Sequence, residues 1–307
     1  MKEPKVAIIT STLNQEKTLI KCLTSFKDKN SYKNFKFYFI DDSGSGKIAL
    51  KMKSMFPWVG VVSNKENLGY SVSNNTLIKK AIREYDPDYI LHVDDDVEFF
   101  EKDVLKKAVS VAENLPEGGI FGARLVYPDK SSQWFSKDGK ITFIKEAGTK
   151  SEEDKKIFET QQVDNVIGAF FLIRRDVVDK IGLLDEMFSP AYGEETDFCF
   201  RAAKNGFKMF YVGELAVIHN GSSSSKTVPS DYIWFVKKRN AIRLEWKHYG
   251  FFKILKYSII HFGAVFFKRD GLGIWKKFRL LLDAYSFNMK NLNNIKSFRR
   301  NNGHLKS

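Results

Sequence analysis

Three consecutive aspartates follow a short apolar segment of the chain. The run from Tyr89 to Val93 predicts a buried strand, and Asp94, Asp95 and Asp96 stand at its end. Open α/β folds bind ligands at the carboxyl edge of the sheet, so the triplet is expected to line a cleft. Because side chains alternate along an extended chain, Asp94 and Asp96 should face one hard cation, Mg²⁺ or Mn²⁺, that carries a diphosphate. The alternative is an acidic turn that caps the next helix.

Strands and helices alternate in the first part of the chain. Short apolar runs separated by helical periodicity predict an α/β fold with a mostly parallel central sheet and right-handed crossovers. Three of the runs end in polar side chains, and their shared edge should form the cleft. These polar ends are Thr10-Ser11-Thr12, Asp41-Asp42 and the aspartate triplet.

A second group of acids lies later in the chain. Glu194, Glu195 and Asp197 follow Gly193 and are predicted to begin a helix. Acids in a first helical turn are commonly surface residues that the helix dipole stabilises, so this group alone does not establish a site.

The residues between the two acid groups predict a flexible connection and a further strand. A polar stretch from Pro128 to about Lys156, which contains Trp134, is typical of a mobile loop or a small hairpin. The segment from Val163 to Arg174 predicts one buried strand. Gly168 and Ala169 interrupt it at a point where a ligand or another backbone could approach closely.

Positive charge is concentrated at the end of the chain. The net charge is +13, yet residues 1–225 carry 32 Lys and Arg against 33 Asp and Glu, whereas residues 226–307 carry 18 against four. This division predicts a near-neutral catalytic domain over residues 1–225 and a cationic appendage over residues 226–307. Two distant cysteines and a short apolar N-terminal segment predict a cytoplasmic protein without a disulfide framework.

Five segments resemble family-2 glycosyltransferases, the inverting nucleotide-sugar enzymes of the GT-A fold, and they occur in the family's order. The resemblance covers about residues 5 to 250. The segments are Val6 to Asn14, Ile40 to Ser45, Asn67-Leu68-Gly69-Tyr70 to Asn74-Asn75, Asp94-Asp95-Asp96, and Gly193 to Arg201.

The resemblance implies a role for each motif. Asp94 and Asp96 would bind the metal. The donor-binding residues would be Thr10, Asp41, Asp42, Asn67, Gly69 and Asp95, and the acceptor side would contain Trp134, Gly168, Ala169, Glu194 and Asp197. Glu195 would be the general base that takes the acceptor proton. The family has aspartate where this chain has Glu195, so the assignment between Glu195, Glu194 and Asp197 stays open.

The pattern after the second acid group is similar to the galactofuranosyl- and rhamnosyltransferase-like branch of the family. His219 lies 24 positions after Glu195, and a serine-rich turn and the basic run Lys237 to Asn240 follow it. The branch's order implies that His219 is a third metal ligand. A lone histidine is more commonly structural, but the position of His219 after a strand-like run favours the ligand role.

These features predict an enzyme that transfers a sugar from a UDP- or dTDP-sugar to a glycan hydroxyl, with inversion. A nucleic-acid-binding protein, with Trp234, Trp246 and Trp275 as stacking groups, and an inactive scaffold of the same fold are the alternatives. Acid clusters facing phosphates disfavour nucleic acid as a partner. The donor sugar, the acceptor, the linkage, the number of additions and the oligomeric state stay open.

The basic C-terminal region also contains apolar helical patterns. Trp275, Phe278, Leu281, Leu282 and Tyr285 fall on one helical face that cations flank. The sequence therefore predicts an amphipathic helical region that binds an anionic membrane on its cytoplasmic face, where a lipid-linked acceptor is accessible. Packing of this face on the catalytic domain or on another subunit is the alternative.

Overall fold

A mixed sheet forms the centre of the molecule. The structure is a computed structural model that describes residues 3–137, 140–143, 156–221, 228–267 and 271–302. Its strands are β1 (Val6–Thr12), β2 (Phe35–Asp41), β3 (Val59–Ser63), β4 (Tyr89–Val93), β5 (Val97–Glu98), β6 (Gly118–Val126), β7 (Trp134–Lys137), β8 (Lys140–Phe143), β9 (Thr160–Val163), β10 (Phe170–Arg174) and β11 (Lys208–His219).

Nine of these strands form the central sheet, in the order β3-β2-β1-β4-β10-β6-β11-β5, with β9 paired to β11. β1 runs parallel to β2 and β4, β2 to β3, and β6 to β11, whereas β10 is antiparallel to both β4 and β6. β5 and β9 are antiparallel to β11. Six of the nine strands thus share one direction, which confirms the predicted mostly parallel sheet.

Helices cover both faces of the sheet. The described α-helices are α1 (Glu16–Lys29), α2 (Lys47–Met55), α3 (Tyr70–Tyr85), α4 (Val104–Asn114), α5 (Arg175–Ile181), α6 (Glu194–Lys204), α7 (Ser230–His248), α8 (Phe251–Phe267), α9 (Ile274–Lys290) and α10 (Leu292–Asn302). Buried side chains of α1, α2 and α4 pack with Val6 and Ile8 of β1, and those of α3, α5 and α6 pack with Ala7 and Ile9. The first strand is therefore buried on both faces, as a central strand of a parallel sheet requires.

The segment predicted as one strand from Val163 to Arg174 is two strands instead. β9 pairs with β11, and β10 lies between β4 and β6. The intervening residues 164–169 cross between these positions, and several of them line the cavity described below. β7 and β8 form the predicted small hairpin, and residues 144–155 lie outside the described residues.

The basic C-terminal region begins with a helix that packs on the sheet domain. Arg243 and Lys247 of α7 contact Asp185, and Lys247 also contacts Asp197 of α6. A separate apolar cluster joins α7, α8 and α9 around Ile242 and Leu281. α7 thus packs both on the sheet domain and on the last helices.

Candidate functional site

A cavity of about 510 Å³ opens where β1 and β4 end. Ser11 and Thr12 at the end of β1 and the three aspartates after β4 form one side. The first turn of α6, residues 165–169 and the N-terminal half of α7 form much of the rest. The polar ends of these two strands therefore meet at one edge, as expected for a parallel sheet.

The cavity contains one group of side chains that is suited to a divalent cation. Ligand atoms of Asp94, Asp96 and His219 all lie within 4.8 Å of one another, and in the part of the chain that the structure describes this is the one such group found. His219 Nε2 is 3.4 Å from Asp96 Oδ1 and 3.7 Å from Asp94 Oδ2. Two carboxylates and one imidazole are suitable ligands for Mn²⁺ or a similar cation.

The sheet topology explains how His219 reaches the aspartates. β5 follows the aspartate turn directly, and its Val97 pairs with His219 at the end of β11. The Asn220 side chain also donates a hydrogen bond to the Asp96 carbonyl oxygen at 3.0 Å. Asp96 and His219 are 123 positions apart in the sequence. They are adjacent in the structure because β5 and β11 pair with each other.

Asp95 has a different partner from the two other aspartates. The Thr12 hydroxyl donates a short hydrogen bond to Asp95 Oδ2. Burial raises the pKa of the Asp95 carboxyl well above its usual range, the Thr12 hydrogen bond opposes this, and the neighbouring aspartates add to it. Burial likewise raises the pKa of Asp96, which His219 partly offsets. A bound cation would relieve this concentration of negative charge.

The two candidate acids after β2 have different surroundings. Asp42 lines the cavity, and its carboxylate accepts hydrogen bonds from Asn64 Nδ2 and from the backbone N–H groups of Leu68 and Gly69 at 2.7 to 2.9 Å. Asp41 is fully buried and accepts from the backbone N–H of Ala49, in the first turn of α2, at 3.1 Å. The structure therefore places Asp42, and not Asp41, where a ligand could be contacted.

The remaining predicted donor-side residues lie as follows. Asn67 and Gly69 line the cavity, and Asn67 Oδ1 accepts from the Gly69 N–H at 3.0 Å. Gly69 has φ +83°, and a Cβ there would lie 2.8 Å from Pro190 Cα, so glycine is required for this close approach. Thr10 is fully buried within β1 and does not line the cavity, because the strand continues to Thr12.

Glu195 lines the cavity from the first turn of α6. Burial raises its carboxyl pKa to about 7, and a hydrogen bond from the Tyr70 phenol partly opposes that shift. The Tyr70 oxygen lies 3.1 Å from His92 Nδ1, which donates to the Gly168 carbonyl oxygen at 2.7 Å. A carboxylate whose pKa is near neutrality can accept a proton from a hydroxyl at physiological pH.

Gly168 provides the space that the longer Glu195 side chain occupies. A Cβ at residue 168 would lie 2.0 Å from Glu195 Oε1. The adjacent Ala169 lines the cavity, and its carbonyl oxygen accepts from the Asp94 N–H at 3.2 Å. The Gly-Ala pair, which the resemblance placed on the acceptor side, lines the cavity and adjoins Glu195 and Asp94.

The other two acids of α6 have different environments. Glu194 is 2% exposed, and burial followed by the charge of Glu195 raises its carboxyl pKa well above the usual range. Asp197 is fully buried and does not line the cavity; it forms ion pairs with Arg201 at 2.9 Å and Lys247 at 2.5 Å. Burial alone would raise the pKa of Asp197, but its hydrogen bond to His248 and these cations lower it far below the usual range. The structure therefore does not place Asp197 on the acceptor side, because its charge is fully paired inside the protein.

Several cavity residues were not identified from the sequence. Thr12 is the last residue of the predicted polar turn, so the length of the first strand could have indicated it. Tyr70 directly follows Gly69, so the start of the next helix could have indicated it. Two further features had no sequence signal: Gln133, which is not a lining residue but contacts His219, and the apolar wall formed by α7 and a residue just before it. That wall consists of Val228, Tyr232, Ile233 and Val236. Trp134 begins β7, and its side chain and the serine-rich turn at residues 222–225 lie outside the described part of the molecule.

A family model and two curated relatives match this chain. The model described as "Glycosyl transferase family 2" matches residues 7–182, which is more than half of the chain, and the chain belongs to this family. The low-salt glycan biosynthesis hexosyltransferase Agl10 of Haloferax volcanii is 22% identical over 226 residues, covering 71% of this chain and 72% of Agl10. The uncharacterized protein y4gI of Sinorhizobium fredii is also 22% identical, over 263 residues and 81% of this chain; the chain spans 28% of the length of y4gI.

Solved structures show the same fold. GalNAc-T7 with UDP, GalNAc and Mn²⁺ matches with a TM-score of 0.60 and 13% identity, over 92% of this chain and 54% of its own. The mannosyltransferase PcManGT of Pyrobaculum calidifontis, in complex with GDP-Man and Mn²⁺, matches with a TM-score of 0.55 and 13% identity, over 100% of this chain and 77% of its own. The TarS protein of S. aureus has a TM-score of 0.53 and 17% identity, over 86% and 44% of the two chains. The predicted GT-A fold is thereby confirmed.

Proposed function

We propose that this protein is a metal-dependent, inverting glycosyltransferase that uses a UDP- or dTDP-sugar, with galactofuranose or rhamnose favoured. The acceptor would be a hydroxyl of a growing, lipid-linked cell-surface glycan. The observation that carries this proposal is that one cavity contains both the Asp94, Asp96 and His219 group and a carboxylate, Glu195, whose pKa is about 7. Departure of a diphosphate and activation of a hydroxyl require these two kinds of groups.

Asp94, Asp96 and His219 would hold Mg²⁺ or Mn²⁺. When bound there, the cation neutralises the negative charge that builds on the departing diphosphate. The crystal complexes of GalNAc-T7 and PcManGT contain Mn²⁺, which supports this choice of ion by analogy. Asp95, held by Thr12, would orient the ribose from the other side of the turn.

Asp42 would contact the nucleotide base, with Asn67 and Gly69 forming the adjoining wall. An aspartate oxygen accepts a hydrogen bond from the pyrimidine ring N–H, which uracil and thymine share. The backbone donors of Leu68 and Gly69 fix the Asp42 carboxylate in place, so little conformational freedom is lost on binding.

Glu195 would act as the general base. The carboxylate takes the proton of the acceptor hydroxyl as that oxygen attacks the anomeric carbon from the face opposite the diphosphate, which inverts the centre. Glu194 also lines the cavity and would stay on the acceptor side, whereas the Asp197 charge is paired with cations away from the cavity, so Glu195 is the carboxylate favoured as the base. The 22% identity to Agl10, which is named a hexosyltransferase, favours a hexose as the transferred sugar.

Turnover assays test the reaction. Purified protein with Mn²⁺ and each of UDP-galactofuranose, dTDP-rhamnose, UDP-galactose and UDP-glucose should release nucleoside diphosphate from at least one donor. Asp96→Ala should abolish this release, whereas Leu50→Asp on the exposed side of α2 should leave it unchanged. NMR of the anomeric centre in the product then reads the stereochemical outcome. No release from any UDP- or dTDP-sugar by the wild type, or full release by Asp96→Ala, would contradict the proposal.

The C-terminal region would place the enzyme at the cytoplasmic face of a membrane, and α8 would contribute to this contact beside the α9 face predicted from the sequence. Leu281 is fully buried, and Phe278 and Tyr285 pack in the same cluster, so only Trp275 and Leu282 of the predicted face are exposed. No helix in the described ranges is long and apolar enough to cross a bilayer.

α8 offers a second exposed apolar face. At 100° per residue, five side chains fall within an arc of about 100°, and their exposed fractions range from 50% to 83%. They are Phe251, Phe252, Leu255, Ile259 and Phe266. Exposed Lys256 lies about 40° beyond one edge of this arc and would face anionic lipid headgroups. The α8 face is therefore the proposed contact with an anionic membrane surface.

Vesicle flotation tests the membrane contact. The full chain should float with vesicles that contain anionic phospholipid, and added salt should weaken binding because about 1 kcal/mol per interfacial cation is screened. Phe252→Asp with Ile259→Asp should abolish flotation, and Leu50→Asp, an exposed apolar residue on the catalytic body, is the matched control. A wild-type protein that does not float at low salt and forms a stable oligomer instead would indicate that α8 packs on a second subunit.

The nucleic-acid-binding alternative is weakened by the burial of basic and aromatic side chains in the C-terminal region. Four cations of the basic region, Arg239, Arg243, Lys247 and Lys277, are buried, so they are not available to phosphates. Trp234 is also buried and Trp246 packs in the α7 to α9 cluster. A nucleic-acid-binding surface would need these groups exposed.

A further inference from the structure

The buried side chain of Gln133 contacts the imidazole of His219. Gln133 lies in the connection between β6 and β7, and a turn from Tyr127 to Ser131 folds this connection back on the end of β6. The Gln133 N–H donates to the Leu125 carbonyl oxygen at 2.8 Å, which fixes the backbone beside the last residues of β11. The Gln133 side chain is 6% exposed and therefore has a defined position.

The surrounding carbonyl groups determine which way the Gln133 amide faces. Its Nε2 donates to the His219 carbonyl oxygen, in a short hydrogen bond, and lies 3.4 Å from the Val126 carbonyl oxygen. Carbonyl oxygens only accept, so the amide nitrogen must face them. The amide oxygen Oε1 then faces His219 Nδ1 at 2.9 Å.

This orientation fixes the tautomer of His219. Because Oε1 can only accept, Nδ1 must carry a proton and donate it. In the neutral imidazole the other nitrogen, Nε2, then has a free lone pair, and Nε2 is the atom that faces Asp94 and Asp96. Three acceptor groups converge there, an arrangement that suits a cation.

We propose that Gln133 is a positioning residue for His219, whose Oε1 holds Nδ1–H and so leaves Nε2 unprotonated and aimed at a divalent cation. The proposal rests on the metal site of the proposed function. It assigns to Gln133 the part that a carboxylate or carbonyl has in other histidine–metal sites, where loss of such a partner typically lowers metal affinity 10- to 100-fold.

Nitrogen NMR of the histidine rings tests the tautomer without any substrate. In protein labelled with ¹⁵N-histidine, the His219 signals are identified by their absence from His219→Gln. The expected result, at pH 8 without metal, is a protonated Nδ1 and an unprotonated Nε2 in the wild type. A His219 ring that is protonated on Nε2 alone would overturn the proposal, whatever the enzymatic activity.

Mn²⁺ binding, followed by the loss of the free-ion EPR signal, tests the consequence for metal affinity. Gln133→Leu should bind Mn²⁺ about 10- to 100-fold more weakly than the wild type. Gln133→Glu keeps an acceptor for Nδ1–H but loses both donor contacts, and it should stay within about threefold of the wild type. Gln161→Leu, on β9 at the other end of β11, is the matched control and should bind Mn²⁺ normally.

The outcomes separate this proposal from the proposed function. Equal Mn²⁺ affinity of Gln133→Leu and the wild type would overturn the positioning role and leave the metal site intact. Equal weakening in Gln133→Leu and Gln133→Glu would show that the donor contacts, and not the acceptor, matter, which also overturns the role. No Mn²⁺ binding by the wild type would overturn the metal site itself, and the role of Gln133 with it. If Gln133→Leu does not fold, the His219 tautomer in the wild type and the Mn²⁺ affinity of Gln133→Glu still test the role of Gln133.

Discussion

Replacing Gly168 by alanine should displace the Glu195 carboxylate and slow catalysis without unfolding the protein. An ideal Cβ at residue 168 would lie 2.0 Å from Glu195 Oε1, 2.7 Å from Cδ and 3.0 Å from Cγ. Non-bonded atoms pack at roughly 3.5 Å, so the carboxylate oxygen must move by at least about 1 Å. A misplacement of about 1 Å can lower a rate about 10²-fold, which is about 2.7 kcal/mol of transition-state stabilisation.

The free energy of unfolding should change much less. The displaced atoms are the end of a side chain that borders a cavity, and the backbone at Gly168 lies outside the left-handed region, so alanine fits its conformation. A loss of less than about 1 kcal/mol is expected by denaturant titration. The affinity for nucleoside diphosphate should stay unchanged, because the substitution does not contact the aspartate group.

A double-mutant cycle distinguishes this mechanism from a general disturbance. Glu195→Asp shortens the side chain by one methylene and removes the overlap, so adding Gly168→Ala to Glu195→Asp should lower kcat by no more than about threefold. The coupling free energy would then be about 2 kcal/mol, as expected for residues in direct contact. Gly263→Ala in α8, where a Cβ meets no atom within 4 Å, controls for the loss of a glycine. Full activity of Gly168→Ala, or additive losses in the cycle, would refute the reasoning.

Three further perturbations follow from the charges of the site. Burial raises the Glu195 pKa to about 7, so kcat should increase as the pH rises through about 7. Glu195→Gln should lower kcat roughly 10²-fold or more and should remove this increase of kcat with pH. Burial raises the pKa of Asp96 above its unfolded value, so the ionised Asp96 carboxylate opposes folding at neutral pH. Asp96→Asn should therefore raise the Tm of the metal-free protein at about pH 7.5. With Mn²⁺ present, the wild type should have the higher Tm of the two proteins. Asp197→Ala should lower the free energy of unfolding, measured by urea titration, by about 3–5 kcal/mol at pH 7, because it leaves the buried Lys247 without one partner. Adding Lys247→Met to Asp197→Ala should recover part of this loss.

The fold was predictable because its signals are local. β4 is buried at all five positions, and an uninterrupted apolar run of that length is typical of a central parallel strand. The acids after β4 were likewise expected at the edge of the sheet, and there Asp94 and Asp96 approach His219 while Asp95 contacts Thr12, although the chain turns at these residues and is not extended. Their placement needs only the common edge of parallel strands.

The choice among neighbouring acids needed contacts that are distant in the sequence. Asp41 and Asp42 are adjacent residues of the same type. The Asp41 carboxylate accepts a hydrogen bond from the first turn of α2, whereas the Asp42 carboxylate accepts one from the loop before α3. Helix geometry could have separated Glu195 from Asp197, because at 100° per residue they lie about 160° apart and cannot line one cavity. Only the fold shows that the Asp197 side faces cations from α7.

The basic C-terminal region was the least predictable part, because a charge count does not show where the charges lie. Arg243 and Lys247 pair with Asp185, 58 and 62 residues earlier in the chain, so part of the positive excess neutralises acids of the catalytic body. An exposed apolar face also lies on α8, while α9 uses Leu281 to pack on α7 and α8 and leaves Ile274, Trp275, Leu282 and Met289 exposed. Both outcomes depend on tertiary packing, which local patterns do not specify.

α7 connects this packing to the chemistry of the cavity. Its C-terminal end holds Asp197 through Lys247, and Asp197 lies two residues after Glu195 in the same helix, so the position of the candidate base depends on that ion pair. Its N-terminal half supplies Tyr232 and Ile233 to the cavity wall. The boundary that the charge distribution suggests at residue 225 therefore separates two stretches of sequence that form one site, and substitutions in α7 should affect turnover as directly as those in the sheet domain.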